Sequence, residues 1–110
     1  MGAIAMAVPI VPGKEDTLAE FASQLGWARK AEFDDFNARH QITDHRAWLQ
    51  KNPDGSNLVV VVIEGPGAET LMAEFATSDN EFDKWFAAKT AEVHGFDPSA
   101  PPPPPAERRI

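Results

Sequence analysis

The chain has 110 residues, of which 43% are hydrophobic and 25% are charged, the composition of one ordinary globular domain. Its 17 acidic and 10 basic side chains give a formal net charge of -7, so we expect no binding to nucleic acid or to an anionic membrane. The absence of cysteine excludes disulfides, thiolate nucleophiles, zinc-thiolate sites and iron–sulfur clusters. The first apolar run is too short to span a bilayer, and we expect a cytoplasmic protein.

The first two elements are predicted to be a strand and a long helix. Residues 3–11 are apolar at every position, and their β-branched content favours a strand. Pro9 has no amide to donate, which indicates an edge position or a bulge. An apolar helical stripe runs through residues 14–40 and continues across Gly26, so we expect one helix. Because glycine destabilises a helix interior by about 1 kcal/mol, a kink or a break at Gly26 is the alternative.

The middle of the chain is typical of an antiparallel hairpin. Residues 43–50 form a predicted strand of mixed polarity, and the Asn-Pro-Asp-Gly sequence at 52–55 favours a tight turn. Residues 58–63, Leu-Val-Val-Val-Val-Ile, give the strongest strand signal in the chain. The two strands are therefore expected to pair.

A second helical region and a tail follow. Ala68, Leu71, Met72 and Phe75 share a helical face. Ser78 and Glu81 have the spacing of a capping box, which predicts a helix from there to about residue 93. Gly95 is placed to end that helix, and residues 96–97 are expected to add a short last strand. The proline run at 101–105 predicts an extended tail over residues 98–110 that is dispensable for folding.

This order of elements predicts an α+β, ferredoxin-like domain over residues 1–97, with the pattern β-α-β-β-α-β and a four-stranded antiparallel sheet. A lone sheet with helices on one face leaves its other face to water. Apolar and polar residues should then alternate along its strands. This alternation is missing from residues 3–11 and 58–63, so both faces of those strands need to be covered by other parts of the protein. We therefore expect a homodimer joined sheet to sheet.

Four short segments, in two pairs, resemble a known group of proteins. They are Ser-Asp-Asn-Glu-Phe-Asp-Lys-Trp-Phe at 78–86 followed by Val-His-Gly-Phe-Asp at 93–97, and Trp-Leu-Gln at 48–50 followed by Pro-Asp-Gly at 53–55. They resemble an uncharacterised group of small bacterial proteins in the dimeric α+β barrel superfamily, which includes antibiotic-biosynthesis monooxygenases and haem-degrading monooxygenases. The resemblance covers residues 3–97 and implies that fold. No site residue of those enzymes is matched here.

Arg29 is the first candidate ligand-binding residue. At about 100° per residue it lies about 20° from Leu18, on the apolar face between Leu25 and Phe33. A guanidinium in that position needs a partner or a wet cavity, because an uncompensated buried charge is costly. We expect it to anchor a carboxylate or carbonyl group in a cavity near Arg46 and Trp48. A structural ion pair and a snorkelling side chain are the alternatives.

The other candidates are aromatic or basic. Arg46 and Trp48 share one face of their strand and His45 lies on the other; packing at a dimer interface is the alternative for the first two. Phe33 and Phe86 complete the candidate set, and core packing is the alternative for them. His40 and His94 are expected to cap helix ends, and lining the mouth of the pocket is the alternative for His94. No spacing predicts a metal site, and haem is the one cofactor that the resemblance suggests.

Three functions remain open from the sequence. The first is a homodimer that binds a small molecule between the long helix and the sheet. The second is a cofactor-free or haem-linked monooxygenase-type enzyme, which rests on the resemblance in fold. The third is a structural or interaction module whose proline tail docks on a partner.

Overall fold

A computed structural model of the chain describes residues 2–96 and 104–110. These residues form an α+β fold, which confirms the predicted fold class at that level. The elements, in chain order, are β1 (Gly2–Pro9), α1 (Glu15–Gly26), α2 (Lys30–Arg39), β2 (Asp44–Lys51), β3 (Asn57–Gly65), a short 3-10 turn (Ala68–Thr70), α3 (Leu71–Ala76) and α4 (Glu81–His94).

The three strands form an antiparallel sheet in the order β1-β3-β2. Because β1 and β2 both run antiparallel to β3, they are parallel to each other with β3 between them, the split βαβ arrangement. The amide of Ile10 donates to the carbonyl of Asn57 at 3.0 Å, which makes this opposed pair a hydrogen-bonded one. Odd-numbered residues of β1 therefore direct their backbone groups to the open edge. Pro9 lies at such a position, so among the three described strands the edge prediction is confirmed.

The predicted hairpin is also confirmed. β2 and β3 pair from Asp44 opposite Glu64 to Lys51 opposite Asn57. In the turn, the Asp54 carboxylate accepts hydrogen bonds from the Ser56 amide at 2.9 Å and from the Ser56 hydroxyl at 2.6 Å. Gly55 has a φ of 89°, which an L side chain rarely adopts.

The prediction of one helix through Gly26 is wrong. α1 ends at Gly26 and α2 begins at Lys30, with the Arg29 amide donating to the Gln24 carbonyl at 2.7 Å across the break. Trp27, within the break, is 83% exposed. Both helices still face the same side of the sheet, which is why the apolar stripe of the sequence continues across the break.

The start of α4 also differs from the prediction. Its N-cap is Asn80, whose side-chain oxygen accepts from the amides of Phe82 at 2.9 Å and Asp83 at 3.3 Å, so the predicted capping box is wrong. The Ser78 hydroxyl instead donates to the Asp83 carboxylate at 2.7 Å. The C-terminal end of α4 is as predicted, because Gly95 adopts the left-handed conformation with a φ of 71°.

The described residues contain three strands, not the four of the predicted sheet. Phe96 is in no strand, and the rest of the expected last strand, Asp97, lies outside the described residues, as does the predicted boundary between domain and tail. Further along the chain, the Ala106 amide donates to the Ala5 carbonyl at 2.7 Å. Since Ala5 is one of the odd-numbered residues of β1, this contact lies at the open edge of that strand.

The two faces of the sheet have different surroundings. The inner face packs under the helices, with Val59, Val61 and Ile63 in contact with the two core clusters. The fully or nearly buried residues of these clusters are Phe36, Ile42, Ile63, Ala68, Leu71 and Phe82 in one, and Ile10, Val59 and Val93 in the other. Val60 and Val62 point to the outer face and belong to neither cluster.

Two glycines let the loop after α2 approach the turn after β3. A Cβ on Gly67 would overlap the His40 carbonyl oxygen, and one on Gly65 would overlap the Gln41 carbonyl oxygen. The Gly67 amide donates to the Gln41 carbonyl at 3.1 Å. This close approach fixes the segment that leads from His40 to His45.

Within the described part of the chain, every helix is too short or too polar to cross a membrane.

Candidate functional site

A cavity of about 240 Å³ lies between the helices and the inner face of the sheet. Three successive inward residues of β3, from Val59 to Ile63, form its floor, which is about 13 Å long at about 3.3 Å per residue. Its remaining lining is mostly apolar and rich in aromatic rings. The lining phenylalanines are Phe21, Phe33, Phe36, Phe75, Phe86 and Phe96.

Polar side chains in the lining are few. They are Thr90, His94 and His45, and no Asp, Glu, Lys or Arg is among the lining residues that the structure describes. The Thr90 hydroxyl donates to the Phe86 carbonyl at 2.9 Å, within α4. The His94 Nδ1 lies 2.8 Å from the Pro9 carbonyl and donates to it, and burial lowers the pKa of His94. The donors of these two side chains are therefore occupied.

His45 is positioned by both the sheet and α2. It lies opposite Ile63 on the inner face of the sheet, with its ring centroid 5.1 Å from that of Phe33 and 6.2 Å from that of Phe86. Its Nδ1 lies 3.0 Å from the Asn37 side-chain oxygen, so Nδ1 carries the proton and donates it. Burial lowers the pKa of His45 to about 4, although nearby Asp44 opposes the shift. The ring is therefore neutral at pH 7.

Three of the six predicted site residues lie together at the cavity, namely His45, Phe33 and Phe86. Arg46 and Trp48 lie outside it on the outer face of the sheet, because successive residues of a strand point to opposite faces. The Arg46 guanidinium lies 5.5 Å from the Trp48 ring centroid and its Nε is 2.7 Å from the Asp44 carboxylate.

Arg29 also lies outside the cavity lining that the structure describes. Its guanidinium lies 4.3 Å from the ring centroid of Trp85 and is 3.4 Å from the Glu32 carboxylate, and its side chain is 34% exposed. The expected meeting of Arg29 with Arg46 and Trp48 is not found. The reason is the break after Gly26, because a helical wheel carried across a break no longer gives the direction of a side chain.

A polar cluster near the cavity was not found from the sequence. The carboxylate of Asp83, fully buried, receives two hydrogen bonds from the Arg39 guanidinium, at 2.7 and 3.1 Å. It also contacts His40 Nε2 at 2.9 Å, and His40 Nδ1 lies 3.2 Å from the Glu74 carboxylate. We call Arg39, His40, Glu74, Ser78 and Asp83 the Asp83 cluster.

The electrostatics of the Asp83 cluster favour an ionised carboxylate. Burial by itself would raise the pKa of Asp83, but hydrogen bonds from Arg39, Ser78 and His40 outweigh it and hold the pKa at about 2. A buried carboxylate with this many donors serves as a structural link between α2 and α4. His40 is the C-cap residue of α2, as the sequence predicted.

The described residues were compared with what a metal ion and a haem require. Across residues 2–96 and 104–110, no group of three or more His, Asp or Glu side chains is arranged to hold a metal ion. The described lining has no lysine or arginine that could pair with the two carboxylates of a haem.

No family model, curated protein or solved structure matches this chain.

Proposed function

We propose that this protein is a homodimer that binds an apolar small molecule in the cavity of each protomer. The observation that supports binding is the cavity, which combines an aromatic lining with a few polar groups. That combination is typical of ligand sites, in which apolar contacts supply affinity and a few polar atoms fix orientation.

The lining favours binding over acid–base catalysis. A general base works best when its pKa lies near the operating pH. The pKa of His45, lowered to about 4 by burial, is well below that range. The described lining also offers no carboxylate and no lysine.

The outer face of the sheet supports the homodimer. Trp48 is 49% exposed there, beside a small or apolar surface that β1 and β3 provide. The residues of that surface are Ala3, Ala5, Ala7, Leu58, Val60 and Val62. The polar residues of the outer face are Asp44, Arg46 and Gln50 of β2 and Glu64 of β3. A second copy placed on this face would bury them from water. A fourth strand added at the open edge of β1, where Ala106 already bonds to Ala5, would complete the ferredoxin-like sheet of a dimeric α+β barrel.

The cavity is tested with a neutral fluorescent probe, N-phenylnaphthylamine, whose emission rises in apolar surroundings. We expect saturable binding to the wild-type protein. Val61→Phe, at the centre of the cavity floor, should abolish it because the added ring occupies the space. Ala22→Phe, which reaches the cavity from α1, is a second blocking variant.

Ala19→Phe is the matched control, since it makes the same change in α1 at an exposed residue outside the lining. It should leave binding of the probe unchanged. Equal binding by the wild type and both blocking variants would overturn the proposed site.

The dimer is tested by light scattering at micromolar concentration. The wild type should have the mass of two chains, and Trp48→Glu should have the mass of one, because it places a charge on the outer face without touching the inner core. Ala88→Asp, on the exposed surface of α4, should remain dimeric. A monomeric wild type would contradict the dimer and leave the cavity proposal standing.

A further inference from the structure

We infer that the ligand is an elongated, uncharged molecule that carries a hydroxyl group, which donates a hydrogen bond to Nε2 of His45. This inference rests on the proposed function and narrows it to a chemical class. It follows from three properties of the cavity: which hydrogen-bonding atoms remain available, which charges are absent, and how long the space is.

The cavity offers acceptors and not donors. The donor groups of Thr90 and His94 are taken up by the carbonyls of Phe86 and Pro9. The donor of His45 is taken up by Asn37. A ligand oxygen that only accepts hydrogen bonds therefore meets no side-chain donor among the described lining residues.

His45 supplies an acceptor at the Ile63 end of the floor, and His94, whose Nδ1 donates to Pro9, presents a second ring nitrogen near the other end. With Nδ1 of His45 protonated and bonded to Asn37, the other ring nitrogen, Nε2, carries a lone pair. Nε2 has no hydrogen-bond partner in the described part of the chain, and the ring that bears it lines the cavity. The low pKa of His45 keeps this lone pair available at neutral pH. A hydroxyl donor on the ligand satisfies it.

The cavity disfavours charged ligands. A carboxylate moved from water into an apolar space is strongly destabilised unless a cation or several donors meet it. Arg29 lies over Trp85 and Arg46 lies on the outer face of the sheet, so neither guanidinium lines the cavity. An anion such as a fatty acid would therefore leave its charge unpaired.

The shape favours an extended molecule. The floor is about 13 Å long at the rise of a β-strand, whereas the volume is only about 240 Å³. A narrow space of this length suits a linear chain with the hydroxyl at the His45 end. Decanol is a suitable probe, and its methyl ether and decanoate are the matched comparisons.

The experiment is displacement of N-phenylnaphthylamine at pH 8 by these three compounds. We expect decanol to displace the fluorophore at about tenfold lower concentration than its methyl ether, since loss of one buried hydrogen bond costs about 1.4 kcal/mol. Decanoate should be the weakest competitor. His45→Phe should remove the preference for decanol over the ether, because the ring remains and the acceptor is lost.

Two further variants separate hydrogen bonding from general disruption. Asn37→Ala frees Nδ1, so the preference for decanol should fall while the fluorophore still binds. Thr77→Val is the control and should keep the wild-type preference, since Thr77 is exposed outside the cavity lining and its hydroxyl donates to the Ala73 carbonyl at 3.2 Å.

The outcomes distinguish this inference from the proposed function. If the fluorophore binds but decanol, its ether and decanoate compete equally, the hydroxyl inference is wrong and the cavity remains a binding site. If the preference for decanol persists in His45→Phe, the assignment to His45 is wrong. If the fluorophore does not bind the wild type at all, the proposed function itself fails.

Discussion

His40 and His45 lie five residues apart and both pack against Phe36, with ring centroids 4.5 and 6.5 Å from that of Phe36. Their hydrogen bonds differ. Both ring nitrogens of His40 contact carboxylates, those of Asp83 and Glu74, within the Asp83 cluster. His45 bonds through Nδ1 to an uncharged amide and presents its other side to the cavity.

The difference shows how the same residue type serves two purposes in one small domain. In the Asp83 cluster, charges and donors are paired, so the cluster joins α2 to α4 and leaves little capacity for a ligand. At the cavity, the His45 imidazole is neutral, and only its Nδ1 has a hydrogen-bond partner among the described residues. This arrangement suits a ligand that brings its own hydrogen-bond donor. Three predictions test this comparison.

The largest effect is expected from Asp83→Ala. Removing this carboxylate leaves Arg39 and His40 without their buried partner, and breaking a buried ion pair in this way costs about 4 kcal/mol of unfolding free energy. Asp35→Ala is the control. It removes a different carboxylate from the same arginine, one that is 62% exposed, and should cost below about 1 kcal/mol. Urea unfolding at pH 7 measures both; equal losses would show that the cluster is not a structural link.

The next effect concerns His45 and pH. Its pKa is about 4 in the folded protein against 6.5 as its ordinary value, so the unfolded chain takes up the proton first as the pH falls. The stability that the neutral ring contributes is fully present above pH 6.5 and is lost by pH 4. Its size is about 3 kcal/mol, since a tenfold change in proton affinity corresponds to about 1.4 kcal/mol.

His45→Phe isolates this contribution, because His94 and the Asp83 cluster are present in both proteins. Between pH 7 and pH 4, the unfolding free energy should fall more steeply in the wild type than in the variant. Parallel pH profiles would mean that His45 is not kept neutral by its surroundings.

The smallest effect is expected from Glu74→Gln. Hydrogen bonds from His40 and Thr70 lower the pKa of Glu74, but its side chain is 51% exposed and water screens its contact with His40. The melting temperature should therefore change much less than in Asp83→Ala. A comparable loss of melting temperature would place Glu74 at the centre of the Asp83 cluster instead of at its rim.

The sequence alone determined the local elements of this protein. The β-branched run at 58–63, the turn at 52–55 and the glycine after α4 specify their structures through short-range preferences, and all three are found. Pro9 was also informative, because a missing amide restricts a strand wherever it occurs. In each case the physical cause lies within a few residues of chain.

The tertiary structure decided what the site contains. The sequence placed Arg29 on an apolar stripe, but the break after Gly26 turns it onto Trp85. Asp83 lies in the first turn of α4, where an acidic side chain is favoured even when exposed, and it is buried because Arg39 and His40 reach it from another helix. The role of His45 depends on Asn37 and on rings from two helices. Such partners are distant in the chain, so burial and hydrogen bonding are set only when the helices pack on the sheet.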